Sequence, residues 1–365
     1  MEESMEERLI RNFCEMVRIP SESGEEEEFI GFLREKLQRE LHGQCQLDSY
    51  GNLICKIPGK NSSTSEPLML AAHADTVRPG RGIKPIVKDG VIYSSGDTIL
   101  GADDKAGIVE ILEAVSTSQR HPPLEIVITR EEEVGLIGAR NLDYSLLKSK
   151  HAVLVDPEDV DTLIIGGPSD MSIDIEITGK GAHAGREPEK GVSAIKAASL
   201  AIAALNDGRI DSETTSNFGI IQGGLIRNGV PDKCIIKAEV RSLDHNKCIA
   251  VSNTYKEVFE VMARSIGAKA DVRLNLAFKA TRISENAPMV RIAKEALKSV
   301  GLDPQMKATT AGLESAIYSE KGIETIPIGK GSRYAHSTSE YLSVENMKKA
   351  VQILQYILAD EFLSK

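Results

Sequence analysis

Four short apolar runs in this chain each stop at ionisable residues able to ligate a metal. Leu68-Met-Leu-Ala-Ala leads into His73 and Asp75, and Leu124-Glu-Ile-Val-Ile-Thr leads into Glu131 to Glu133. Ala152-Val-Leu-Val leads into Asp156, and Ile323 to Ile328 leads through a glycine-rich loop into His336. Each run has the length of a buried strand. Between the first two, Gly101-Ala-Asp-Asp-Lys-Ala-Gly107 opens a stretch whose Ile108, Ile111, Leu112 and Val115 share one helical face. Strands alternating with helices predict an α/β domain with a mostly parallel central sheet flanked by helices. Ligands of such sheets collect outside the carboxyl ends of the strands, where these ionisable residues fall.

The periodicity predicts two helices ahead of the first strand. Leu9, Ile10, Phe13, Met16 and Val17 lie on one face, and Phe29, Ile30, Leu33, Leu37 and Leu41 repeat the pattern. Beyond about residue 168 the texture changes to alternation, as in Ser172-Ile-Asp-Ile-Glu-Ile and Cys234-Ile-Ile-Lys-Ala-Glu-Val, with helical stretches near 191–205 and 246–266. Alternation suits a sheet with one solvated face. The strand before His336 is needed in the first sheet, so the expected organisation is an insertion: 1–167 and 281–365 form one domain and 168–280 an α+β domain set into it. A length of 365 residues agrees with two domains.

Charge narrows the function classes. Forty-four Lys and Arg against 54 Asp and Glu leave a net charge of −10, which disfavours nucleic acid and anionic membrane surfaces as partners. No apolar stretch approaches the ~20 residues of a membrane-spanning helix. The acidic start, Met1-Glu-Glu-Ser-Met-Glu-Glu-Arg8, lacks the basic and then apolar character of a secretory signal, so a cytoplasmic location is expected. Five scattered cysteines, Cys14, Cys45, Cys55, Cys234 and Cys248, without a CxxC pair, are expected to be reduced and structural.

The chemistry follows from spacing. His73 and Asp75, two apart on a strand, point to the same side, so a carboxylate can orient an imidazole that binds metal. The acids Asp103 and Asp104 stand at a loop-to-helix junction, where the plain alternative is a helix cap. Three consecutive acids, Glu131 to Glu133, directly after a buried strand repel one another unless a cation compensates. Asp156 and His336 complete a set of nitrogen and oxygen donors without sulfur, which favours zinc, manganese or cobalt in a catalytic site. If Asp103 bridges, two divalent ions about 3.5–4 Å apart fit, one on His73 and Asp156 and the other on Glu133 and His336. Three carboxylates against two such ions leave a net positive charge that can acidify a water. The residues alone do not choose a base among Glu131, Glu132 and Glu133.

The order His73-x-Asp75, Gly-Ala-Asp103-Asp-Lys, Glu132-Glu133-Val-Gly, Asp156 and His336 resembles the M20 family of dinuclear metallopeptidases. The spellings Leu100-Gly-Ala-Asp-Asp-Lys-Ala-Gly and Ala72-His-Ala-Asp-Thr are similar to its peptidase T branch. The resemblance spans essentially the whole chain and implies a zinc exopeptidase-like fold with an inserted lid or dimerisation domain. It implies two divalent cations, zinc ahead of manganese or cobalt: His73, Asp103 and Asp156 hold one, and Asp103, Glu133 and His336 the other. It makes Glu132 the general base and Asp75 the residue orienting His73. Gly179-Lys-Gly-Ala-His183-Ala-Gly resembles the segment whose histidine stabilises the oxyanion from the partner subunit of a homodimer. Asn228 and Arg241 match positions that hold the substrate's backbone or carboxylate. Gly312-Leu-Glu314-Ser-Ala departs from the family, which more often has Asp in place of Glu314.

The resulting expectation is a metal-dependent exopeptidase that releases the N-terminal residue of short peptides. Two alternatives stand beside it. One is an amidohydrolase of the same family, acting as a carboxypeptidase or a deacylase of N-acyl or N-carbamoyl amino acids; the other is a silent binding protein that keeps the metal.

Overall fold

A computed structural model describes residues 3–359. Met1 and Glu2 of the acidic start, and residues 360–365 of the expected closing segment, lie outside the described residues. The chain opens with α1 (Met5–Met16), α2 (Glu27–Leu41), β1 (Gln44–Leu47), β2 (Leu53–Ile57), β3 (Leu68–His73), β4 (Pro85–Lys88) and β5 (Val91–Ser94). It continues through α3 (Ala102–Thr117), β6 (Leu124–Thr129), α4 (Ile137–Asn141), β7 (His151–Val155), β8 (Thr162–Gly167) and β9 (Ser169–Thr178). Then come α5 (Ala194–Ala203), β10 (Gly208–Arg209), β11 (Thr214–Gly223), β12 (Lys233–Ser242), α6 (His245–Ser265), β13 (Lys269–Phe278) and β14 (Thr281–Arg282). The last elements are α7 (Pro288–Ser299), β15 (Gln305–Ala308), α8 (Ser315–Glu320), β16 (Glu324–Ile328), β17 (Ser332–Arg333), β18 (Tyr341–Ser343) and α9 (Val344–Ala359).

Two compact units emerge. The first joins Met1–Ile165, Ile283–Lys307 and Leu313–Lys365, and the second joins Gly166–Arg282 and Ala308–Gly312. In the first unit the central sheet runs β1-β2-β6-β3-β7-β16-β8. Its middle four strands, β6, β3, β7 and β16, are mutually parallel, whereas β2 and β8 pair antiparallel at either side. Every residue of β3 and β6 is buried. That burial on both faces explains why these strands read as continuous apolar runs. Register then aligns the strand ends: His73 lies opposite Thr129, and Ile328 opposite Val155. The acidic and histidine-bearing loops therefore all leave one edge of the sheet.

Helix α3 carries the central acids against this edge. Its axis comes so close to β7 that a Cβ on Gly107 would stand 2.2 Å from the Val155 carbonyl oxygen. Phe13, Phe29, Leu33, Leu70, Ile111, Ile126, Val153, Ile326 and Leu354 belong to one continuous buried core. A small sheet in the order β17-β18-β5-β4, not foreseen from the sequence, folds beside it. The second unit holds an antiparallel sheet, β10-β11-β12-β9-β13, whose Ile173, Ile175, Ile177 and Ile236 pack with Ala197 of α5 and Phe259 of α6.

One expectation needs correcting. Cys45 and Cys55 are joined as a disulfide, while Cys14, Cys234 and Cys248 are free and buried. The reason is register: β1 and β2 form a hairpin that sets Cys45 directly opposite Cys55, with Cα atoms 4.0 Å apart. Spacing along the chain does not carry that information. Among the described residues no helix is long and apolar enough to cross a membrane.

Candidate metal centre

The site is built around Asp103, at the start of α3. Gly101 precedes it with φ +73°, and Asp103 and Asp104 both depart from helical geometry, so the acids sit on a kink rather than within a regular turn. Asp104 does act as a cap, its Oδ1 accepting from the Gly107 N–H at 3.3 Å, and its Oδ2 accepts from the His73 N–H. Asp103 does something else. Its Oδ1 faces His73 Nε2 at 3.4 Å and its Oδ2 faces His336 Nε2 at 3.3 Å. Glu133 Oε2 reaches the same His336 nitrogen at 2.8 Å.

His73 is oriented for ligation. Its Nδ1 lies 2.9 Å from the Asp75 carbonyl oxygen. A carbonyl can only accept, so in the neutral ring Nδ1 carries the proton and Nε2 keeps its lone pair toward Asp103. The Asp75 carboxylate, fully buried, stands 3.4 Å from Nδ1 and also accepts from the N–H groups of Glu132 and Glu133 at 2.9 and 3.2 Å. Glu26, the residue before α2, accepts from the Glu131 N–H and binds the Arg130 guanidinium. Two buried carboxylates thus capture three successive amides. That fixes the loop from which Glu132 and Glu133 project.

Two sets of possible ligand atoms gather within 4.8 Å: His73, Asp103 and Glu133, and His73, Asp104 and Asp156. Burial raises the pKa of Glu132, Glu133 and Asp104, and for Glu132 the neighbouring Asp156 and Glu133 add to the effect. Hydrogen bonds donated by its Nε2 to Asp103 and Glu133 push His336 up to about 10. For His73, burial pulls downward but Asp103 and Asp75 outweigh it. These shifts describe acids short of positive charge. A divalent cation would reverse them by supplying that charge. Glu133 Oε1 is buried without a hydrogen-bond partner, so it has lone pairs to offer a cation. The donor set of imidazole nitrogens and carboxylate oxygens fits zinc, manganese or cobalt.

Three residues that sequence reasoning gave no role complete the centre. Lys330 donates to Asp103 Oδ1 at 2.6 Å and Asp156 Oδ1 at 3.1 Å, and also to the Asp156 carbonyl. Despite burial, Asp103 and Asp156 hold its pKa well above the usual lysine range. Glu340 accepts from the N–H groups of Leu100, Gly101 and Asp103 at 2.8, 2.7 and 3.0 Å, so it holds the loop that carries Asp103. Burial pushes its pKa to about 7. Tyr318 donates to buried Glu314 at 2.9 Å, and burial also raises Glu314 to about 7. Glu340 lies four residues after His336, and only that proximity hinted at it.

The second unit carries the remaining candidates. His183 and Asn228 are exposed neighbours, linked by a hydrogen bond from the Ala184 N–H to the Asn228 carbonyl and a bridge between His183 and Gly229. Arg241 lies at ion-pairing distance, 3.2 Å, from both Asp170 and Glu239. Burial raises Asp170 to about 6 against the pull of Arg241.

Residues 69–360 match Peptidase family M20/M25/M40. The chain is 35% identical to the uncharacterized protein YqjE of Bacillus subtilis, over 97% of this chain and 98% of that one. Its fold is similar to that of the aminopeptidase PepT from Bacillus cereus, with a TM-score of 0.87, 36% identity, and coverage of 99% of this chain and 100% of that one. It is also similar to a tripeptidase from Staphylococcus aureus, with a TM-score of 0.90, 34% identity and 98% of both chains covered. The chain belongs to the M20/M25/M40 peptidase family and is, by that membership, a hydrolase.

Proposed function

We propose that the chain is a dinuclear metal-dependent exopeptidase that cleaves short peptides from the amino end. The observation that carries this reading is the position of Asp103, with one carboxylate oxygen toward His73 and the other toward His336 and its partner Glu133. His73, Asp103 and Asp156 would hold one cation, and Asp103, Glu133 and His336 the other, with zinc as the favoured metal. Bound there, a cation pair supplies Lewis acidity that polarises a peptide carbonyl and lowers the pKa of a water to about 7.

The chain's own residues do the rest. Glu132 is buried directly beside the ligand residue Glu133, with its N–H held by Asp75, where a carboxylate can take and return a proton. It accepts the proton of the attacking water and delivers it to the departing amine. Asp75 keeps His73 in the tautomer that frees Nε2 and keeps Glu132 aimed by holding its N–H. All five ligand residues and the base are present, which disfavours a silent binding protein. Cleavage from the amino end is supported by similarity to an aminopeptidase and a tripeptidase across nearly the full chain.

A homodimer formed through the second unit belongs to this reading, with His183 of one copy serving the centre of the other and Asn228 and Arg241 holding the substrate. A cytoplasmic location accompanies it.

Di- and tripeptides with a free amino end should be hydrolysed, and the same peptides acetylated at that end should not. Cleavage of blocked substrates alone, read by chromatography of the products, would replace the aminopeptidase with a deacylase. Glu132→Gln should keep its metal content but lose about two to four orders of magnitude in kcat, the usual worth of a general base. Unchanged turnover would remove the base from Glu132. Sedimentation should give a dimer, and a fully active monomer would refute the role of His183 across subunits.

A further inference from the structure

Lys330 has no task in the chemistry above, yet it stands at its centre. Its side chain is 2% exposed, and its ammonium lies 2.6 Å from Asp103 Oδ1, 3.1 Å from Asp156 Oδ1 and 3.9 Å from Asp104 Oδ1. His73 Nε2 faces that same Asp103 oxygen. The ammonium therefore contacts a carboxylate oxygen of each of the two acids that would hold a cation with His73. The other side of Asp103 is different. There Oδ2 and Glu133 Oε2 meet only an imidazole nitrogen in the contacts described, and Glu133 Oε1 is unpartnered.

We propose that Lys330 is an internal cation that competes with metal for the His73–Asp103–Asp156 position, so that the two positions load unequally. The inference rests on the two-cation reading of the centre. The Asp103–Glu133–His336 position fills first. The second ion enters only as the ammonium gives way, which the flexible four-carbon stem of a lysine permits. The arrangement has a physical rationale in the metal-free chain, where Asp103, Asp104 and Asp156 crowd one buried corner. Unpaired buried carboxylates are strongly destabilising, and an ammonium among them offsets that cost before metal arrives. Weaker loading of one position is the consequence.

The test is a calorimetric titration of zinc into the chelator-stripped, full-length chain and its Lys330→Met and Lys330→Gln variants. The unmodified chain should take one equivalent tightly and a second more weakly by about ten- to a hundredfold, the scale of one charge-assisted hydrogen bond. Either variant should draw the two affinities together. Equal affinities in the unmodified chain, or an unequal pair that the variants leave unchanged, would overturn the inference. A measurement that needs no variant guards against misfolding: the Lys330 Nζ–H signal in a nitrogen–proton correlation spectrum should stay protected from solvent exchange through the first equivalent and lose that protection with the second. Loss of protection with the first equivalent would also overturn the inference. Failure of any chain to bind zinc would instead bring down the metal centre itself.

Discussion

One carboxylate, that of Asp103, is shared between two imidazoles and an ammonium, and the rest of the centre is arranged to make that sharing tolerable. Five acids, Asp103, Asp104, Glu132, Glu133 and Asp156, meet at the end of a buried sheet, where their mutual repulsion is poorly screened. The metal-free chain answers in two ways. Asp104, Glu132 and Glu133 hold their protons more strongly than free carboxyls, and Lys330 places a full positive charge against Asp103 and Asp156. Both responses are substitutes for the charge that a metal pair would provide.

The scaffold explains how residues far apart in sequence reach one point. Parallel register brings the ends of β3, β6, β7 and β16 to the same edge, and each following loop delivers its side chains there. Loops are mobile by default, so a catalytic loop needs fastening. Here the fasteners are buried carboxylates. Asp75 and Glu26 hold the amides of residues 131–133, and Glu340 holds those of Leu100, Gly101 and Asp103. Left-handed backbone at Glu131 (φ +50°) and His336 (φ +62°) is the local cost of aiming these side chains.

The parts legible in sequence were those written locally. Continuous apolar runs announced β3, β6 and β7, and ionisable residues able to ligate a metal stand at or shortly after the end of each. The α5 and α6 stretches and the alternating strands of the second unit were visible for the same reason. What escaped notice depends on contacts between distant segments. Lys330 read as part of a glycine-rich loop, because nothing nearby in sequence reveals the three aspartates around its ammonium. Glu340 works through backbone amides 240 residues upstream. The Cys45–Cys55 pairing required the hairpin register, and the small sheet β17-β18-β5-β4 required strands too short to carry a pattern. The choice of Glu132 over its neighbours came from family resemblance; the structure adds that Asp75 holds the amides of both Glu132 and Glu133.

The most direct test of the shared-carboxylate centre is anomalous diffraction at the zinc edge from crystals grown at saturating zinc. Two peaks should appear about 3.5–4 Å apart, one on each side of Asp103 and each roughly 2.0–2.2 Å from one of its oxygens. A single peak, or peaks that leave Asp103 without a metal neighbour, would contradict the account.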